Sequence, residues 1–103
     1  MFNINGVDWE IRLVSSNHPK LRRNDGSIAL GSCDSITKTI YMSEIIPAHK
    51  LKKVLCHEVT HAAMFSYHVE MNIEQEELVA DLIATYGPEI IDITNKIFSR
   101  IAN

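Results

Sequence analysis

Two histidines four residues apart, with a glutamate directly after the first, stand at His57-Glu58-Val59-Thr60-His61. On a helix, residues at this spacing differ by about 40° around the axis and about 6 Å along it. Both imidazoles therefore leave one face and can meet a single zinc ion at about 2.0–2.1 Å. Glu58 flanks that ion instead of binding it, which is where a base must sit to take a proton from a metal-activated water. The H-E-x-x-H pattern thus points to metal-assisted hydrolysis. A pair of core or surface histidines is the plain alternative, and the setting weighs against it: the motif lies inside a well-patterned helix with apolar residues flanking the histidine face.

Catalytic zinc usually has three protein ligands and an open position. The segment Asn72-Ile73-Glu74-Gln75-Glu76-Glu77-Leu78-Val79-Ala80-Asp81 supplies the candidates. A short connection from Tyr67 to Asn72 makes the two flanking helices antiparallel neighbours. Glu77 falls in the second turn and Asp81 on the same face one turn later. Glu77 as the third ligand, with Asp81 accepting a ring N–H from a ligand histidine, is a coherent assembly. Glu74 and Glu76 read as a solvated acidic first turn, favoured by the helix dipole.

The elements that must position these groups fall into two parts. Val7, Trp9, Ile11 and Leu13 alternate with Asp8, Glu10 and Arg12, the pattern of a strand with one buried face. Asn24-Asp25-Gly26 marks a turn. Residues 28–33 and 37–42 read as two more short strands joined around Cys33-Asp34-Ser35, an antiparallel pair. From Pro47 the period becomes helical. Leu51, Val54, Leu55, Val59, Ala62 and Phe65 form an apolar stripe on a helix ending near Tyr67. Asn72 with Gln75 is a capping-box start for a second helix. Gly87-Pro88 predicts its stop, with a third helix from Glu89 to about Ile101. The expected fold is α+β, a three-stranded sheet followed by the helix carrying the histidines and two further helices.

The chain has 103 residues, so one domain, 1–103, is expected, with a modest core that a bound metal would help to staple. A net charge of -3 offers no basic field for nucleic acid, and Lys20, Arg22 and Arg23 read as a solvated loop. Two cysteines are too few for a disulfide framework and fit a reduced compartment. No stretch resembles a signal peptide or a membrane span, so a cytoplasmic protein without a membrane partner is expected. Cys33 is a minor candidate for a fourth metal ligand, and Cys56 reads as a packed thiol. His18, His49 and His68 read as surface or loop residues; Met64, Phe65, Phe98 and Trp9 read as core.

His57-Glu58-x-x-His61 followed by Glu77-x-x-x-Asp81 resembles the gluzincin signature of thermolysin-like zinc peptidases. The Glu77-Leu78-Val79-Ala80-Asp81 stretch is also similar to the ImmA/IrrE family of small phage and bacterial metallopeptidases, and the chain length resembles the minigluzincins. The resemblance covers residues 51–87. It implies a zincin-like fold and a peptide or protein substrate. It further implies His57, His61 and Glu77 as zinc ligands, Glu58 as general base and acid, and Asp81 as orienter of a ligand histidine. In such folds an edge strand pairs with the substrate backbone, and residues 28–31 are the candidate. The chain departs from the larger members in its shorter gap from His61 to Glu77 and its lack of a second subdomain. Tyr41, Tyr67, Tyr86 and His68 are the candidates for the donor that stabilises the tetrahedral intermediate. A monomer or weak homo-oligomer is expected. The rival expectations are a zinc-dependent regulatory or interaction module, and a latent peptidase whose C-terminal segment covers its own cleft.

Overall fold

Asn5-Gly6 supplies the two positive-φ residues, 49° and 81°, that a tight hairpin turn demands. In a computed structural model of the chain, which describes residues 1–102, that turn joins β1 (Phe2–Ile4) to β2 (Val7–Val14) with Ile4 opposite Val7. A short 3-10 turn (Pro19–Leu21) follows, then β3 (Gly31–Asp34) and β4 (Thr39–Ser43). The sheet order is β1-β2-β4-β3. β3 and β4 pair antiparallel, as the sequence pattern suggests, whereas β2 and β4 pair parallel. The sheet is therefore four-stranded and mixed, not three-stranded. The extra strand is β1, whose Phe2 and Ile4 alternate ahead of the Asn-Gly turn.

The β3–β4 connection lies slightly later than its pattern suggested. Asp34 ends β3, and its carboxylate accepts from the Ile36 and Thr37 backbone N–H groups at 2.9 and 3.3 Å and from Lys20 Nζ at 2.7 Å. These donors hold the Asp34 carboxyl down to about 2, the Lys20 bond being the largest cause.

Helix α1 (Ala48–Ser66) begins just after Pro47, which stands in extended conformation as its cap. Trp9, Ile40, Met42 and Ala62 form the buried centre, with Val54, Leu55 and Val59 of α1 packed against it. Helix and hairpin are also tied by polar contacts. Trp9 Nε1 donates to Ser66 Oγ at 2.9 Å, and Asn5 Nδ2 donates to the Ser66 carbonyl at 3.0 Å. All five β4 residues are buried, but only Trp9 is buried on the predicted inner face of β2. α1 packs against β3 and β4, and Ile11 and Leu13 remain 44% and 71% exposed. Met64 is buried, while Phe65 is partly exposed and meets Trp9 edge-on.

α1 closes in a Schellman turn: Val69 N–H donates to the Met64 carbonyl and His68 N–H to the Phe65 carbonyl. The left-handed residue is His68, with φ 55°. Helix α2 (Ile73–Ile101) then starts with the expected capping box, in which Gln75 N–H donates to Asn72 Oδ1 at 2.8 Å and Asn72 N–H to Gln75 Oε1 at 3.2 Å.

The predicted stop at Gly87-Pro88 does not occur; one helix of 29 residues replaces the two expected. Proline disfavours helix in its predecessor mainly by a clash with that residue's N–H and Cβ, and Gly87 has no Cβ. The carbonyl of Ala84 loses its usual donor at Pro88. Ala84 is the last buried residue of α2, and 88–101 form an exposed arm that carries Phe98, expected in the core, at its solvent face. No helix of the described residues is long and apolar enough to cross a membrane.

The left-handed His68 gives a direct test of the turn. His68→Gly should raise stability by about 0.5–1 kcal/mol, because a side chain with a Cβ is strained there. Chemical denaturation of both proteins measures it, and an unchanged or lower midpoint contradicts the strained turn.

Candidate metal centre

The α1–α2 pairing decides which carboxylates meet the histidines. His57 faces Asp81, and His61 faces Glu76 and Glu77, so rising numbers on one helix meet falling numbers on the other. The helices are antiparallel, as the short connection implied.

Each histidine is held from behind. His57 Nδ1 lies 2.9 Å from Asp81 Oδ1, and His61 Nδ1 lies 2.6 Å from Glu76 Oε1. A carboxylate accepts from an imidazole N–H, so these two contacts suit the tautomer that carries its proton on Nδ1. In that tautomer both Nε2 atoms present lone pairs, and they point at one place. They are 3.2 Å apart; Glu77 Oε2 lies 3.1 Å from His57 Nε2, and Glu77 Oε1 lies 3.0 Å from His61 Nε2. Ligand atoms at 2.0–2.1 Å from a tetrahedral ion stand about 3.3 Å apart, so these spacings fit a shared cation. Among the described residues, His57, His61 and Glu77 are the group whose ligand atoms converge in this way.

Of the residues singled out from sequence, His57, His61, Glu77 and Asp81 are brought together here. Glu76 is a correction. It had been read as part of a solvated first turn, yet it orients His61. Its signal was present in the 76–80–84 spacing, which carries it down the helix line of buried Ala80 and Ala84. The dipole argument for acidic first turns masked it.

Glu58 is 7% exposed and lies under β3. Burial pushes its carboxyl above the ordinary value; His57 and His61 pull it back down, and Glu77 adds to the rise. β3 approaches so closely that a Cβ on Gly31 would stand 3.0 Å from Glu58 Cγ and 3.1 Å from Val54 Cγ1. Any side chain at this position would make Glu58 and Val54 give by a few tenths of an ångström. Of residues 28–31, expected as the edge strand, only Gly31 belongs to a strand. β3 forms one edge of the sheet, and Gly31, Ser32 and Cys33 line the cleft beside the histidines.

Cys33 stands in that wall but outside the converging group. Burial, reinforced by Glu58 and Glu76, pushes its thiol up to about 12, so it stays protonated. Both cysteines are free thiols. His18 caps the 3-10 turn, accepting from Lys20 N–H at 3.1 Å, and stacks on buried Tyr41. Tyr41, Tyr67, Tyr86 and His68, the expected donors to a tetrahedral intermediate, do not line the cleft. No protein-family model, curated protein or solved structure matches the chain.

Two consequences can be measured. Asp81→Asn and Glu76→Gln should each weaken zinc binding by about 10–100-fold, as loss of a partner behind a ligand histidine does. Competition against a chromogenic chelator reads this, and unchanged affinity in both variants would remove their orienting role. Gly31→Ala should destabilise the fold by about 1–3 kcal/mol through overpacking against Glu58 and Val54. A denaturation midpoint equal to the parent's would contradict that close approach.

Proposed function

We propose that the chain is a zinc metallopeptidase of gluzincin type with a minimal zincin-like fold, in which His57, His61 and Glu77 hold the metal and Glu58 is the general base. The observation that carries this reading is the convergence of His57 Nε2, His61 Nε2 and the Glu77 carboxylate within 3.0–3.2 Å, while the Nδ1 atoms of both histidines face Asp81 and Glu76. Lone pairs so arranged repel one another unless a cation or an added proton lies between them. Two imidazoles and one carboxylate are the donor set of a catalytic zinc site with a position left for water.

Zinc, when bound, supplies a Lewis acid that acidifies water and polarises a carbonyl. The rest falls to the chain. Glu58 follows His57 directly and is buried, with its carboxyl raised toward the range in which a base can both take and return a proton. It accepts a proton from the attacking water and delivers it to the leaving amine. Asp81 and Glu76 fix the imidazole planes, so the ligands need not reorganise. The sheet edge at β3 offers backbone groups to an extended peptide, as edge strands do. The exposed arm 88–101 lines neither lobe of the cleft, which gives no support to latency by that segment.

A zinc-dependent interaction module that binds metal without turnover is the second reading. It is favoured by one observation: none of the four side chains expected to stabilise a tetrahedral intermediate lines the cleft.

Metal analysis of untagged protein combined with cleavage of a quenched-fluorescent peptide pool separates the two. The parent should hold one zinc per chain and cut peptides. Glu58→Gln should keep the metal and lose about 10²–10⁴-fold in kcat. Equal cleavage by the two proteins would remove Glu58 as base, and zinc without any cleavage would establish the interaction module.

A further inference from the structure

The charges lining the cleft sort by position. Two lobes meet at His57 and Glu58 and share Arg23 and Gly31. The carboxylates in their walls are Glu58, Glu76, Glu77 and Asp81, all members of the cluster around the histidines. Every other charged residue there is a cation: Lys20, Arg22 and Arg23 in one lobe, Arg23, Lys50 and Lys53 in the other. Five of the chain's ten Lys and Arg residues thus gather on one cleft, in a chain whose net charge is -3.

Most of these cations have no carboxylate of their own. Lys20 is paired with Asp34 at 2.7 Å, but Arg22, Arg23, Lys50 and Lys53 make no ion pair among the described residues. They come from different segments. Arg22 and Arg23 follow the 3-10 turn, whereas Lys50 and Lys53 lie in the first two turns of α1. Arg23 belongs to both lobes, and its charge reaches Glu58. The Arg23 backbone is fixed by a tight turn, its N–H donating to the Ser27 carbonyl at 2.9 Å and its carbonyl accepting from Gly26 N–H at 3.0 Å.

We propose that this cleft selects acidic peptides, with carboxylate side chains on both sides of the reacting bond, and that Arg23 is the main specificity-determining residue. The inference rests on the metallopeptidase reading for the meaning of the reacting bond, but the charge selection is a binding property that can be measured without turnover. Exposed cations contribute little one by one. Clustered along the walls of a cleft, they raise the local concentration of an anionic ligand and speed its capture, in a salt-dependent way. A peptide lying along the β3 edge would cross both lobes, which share Glu58, and meet cations in each. The same fields would resist a lysine-rich peptide, so selection works by repulsion as well as attraction.

The test uses zinc-loaded Glu58→Gln and three labelled peptides of equal length, with a common neutral centre flanked by Glu, Gln or Lys, titrated by fluorescence anisotropy. The Glu peptide should bind about tenfold more tightly than the Gln peptide at low salt, and the gap should close at high salt. Arg23→Glu combined with Lys53→Glu should turn the preference toward the Lys peptide with zinc content and circular dichroism unchanged. Equal binding of the three peptides, or a parent preference for the Lys peptide, overturns the proposal. So does tighter binding of a single-stranded oligonucleotide of the same charge, which would assign the cations to nucleic acid. Failure of the parent to cut any of the three peptides would remove the peptidase reading alone, because the binding order still decides the charge selection.

Discussion

Three side chains converging on one point, with both histidines held from behind, is the constraint on which the rest of the structure depends. The imidazoles of His57 and His61 cannot turn their Nε2 atoms together at 3.2 Å unless something holds the rings, and Asp81 and Glu76 do so through Nδ1. Those carboxylates reach the rings only because α2 runs back along α1. The antiparallel pairing is therefore as much a part of the candidate metal centre as the converging side chains are. It also concentrates negative charge at the start of α2, where the helix dipole favours Glu74 and Glu76.

The sheet serves that pairing from the other side. α1 lies on β3 and β4, pinned at its C-terminal end by the Trp9–Ser66 and Asn5–Ser66 hydrogen bonds. Its middle lies so close to β3 that a Cβ on Gly31 would press on Glu58 and Val54. One side of α1 thus faces the sheet and buries Glu58, while the adjoining side faces α2 and presents His57 and His61. The buried centre is small, a few large side chains around Trp9, Ile40 and Met42. A domain of this size gains from any tie between distant segments, and a metal held by residues 57, 61 and 77 would be one.

Much of the site was legible in one dimension because its parts are local. The i, i+4 spacing of His57 and His61, and of Glu77 and Asp81, reports a shared helix face whatever the rest of the chain does. The Asn72–Gln75 capping box is likewise complete within four residues. Glu76 was misread because the preference for acidic residues in a first turn explains it equally well when no neighbour is in view. The break expected at Gly87-Pro88 failed for a related reason: proline's effect on its predecessor depends on that residue having a Cβ. The first strand was passed over although Asn5-Gly6 is itself a hairpin signal. Its alternation is a single repeat, Phe2 and Ile4, too short a pattern to mark a strand without the turn.

By itself the sequence determined the α+β class, the limits of α1, the start of α2 and the histidine pair, because propensity, capping and helical period act over a few residues. Only the tertiary structure decided that β2 and β4 lie parallel, that Glu76 joins Asp81 behind the rings, that Gly31 sits against Glu58, and that five cations line one cleft. Each of these is a meeting of segments far apart in the chain. Such meetings depend on how the layers pack, and packing distance leaves no period in the sequence.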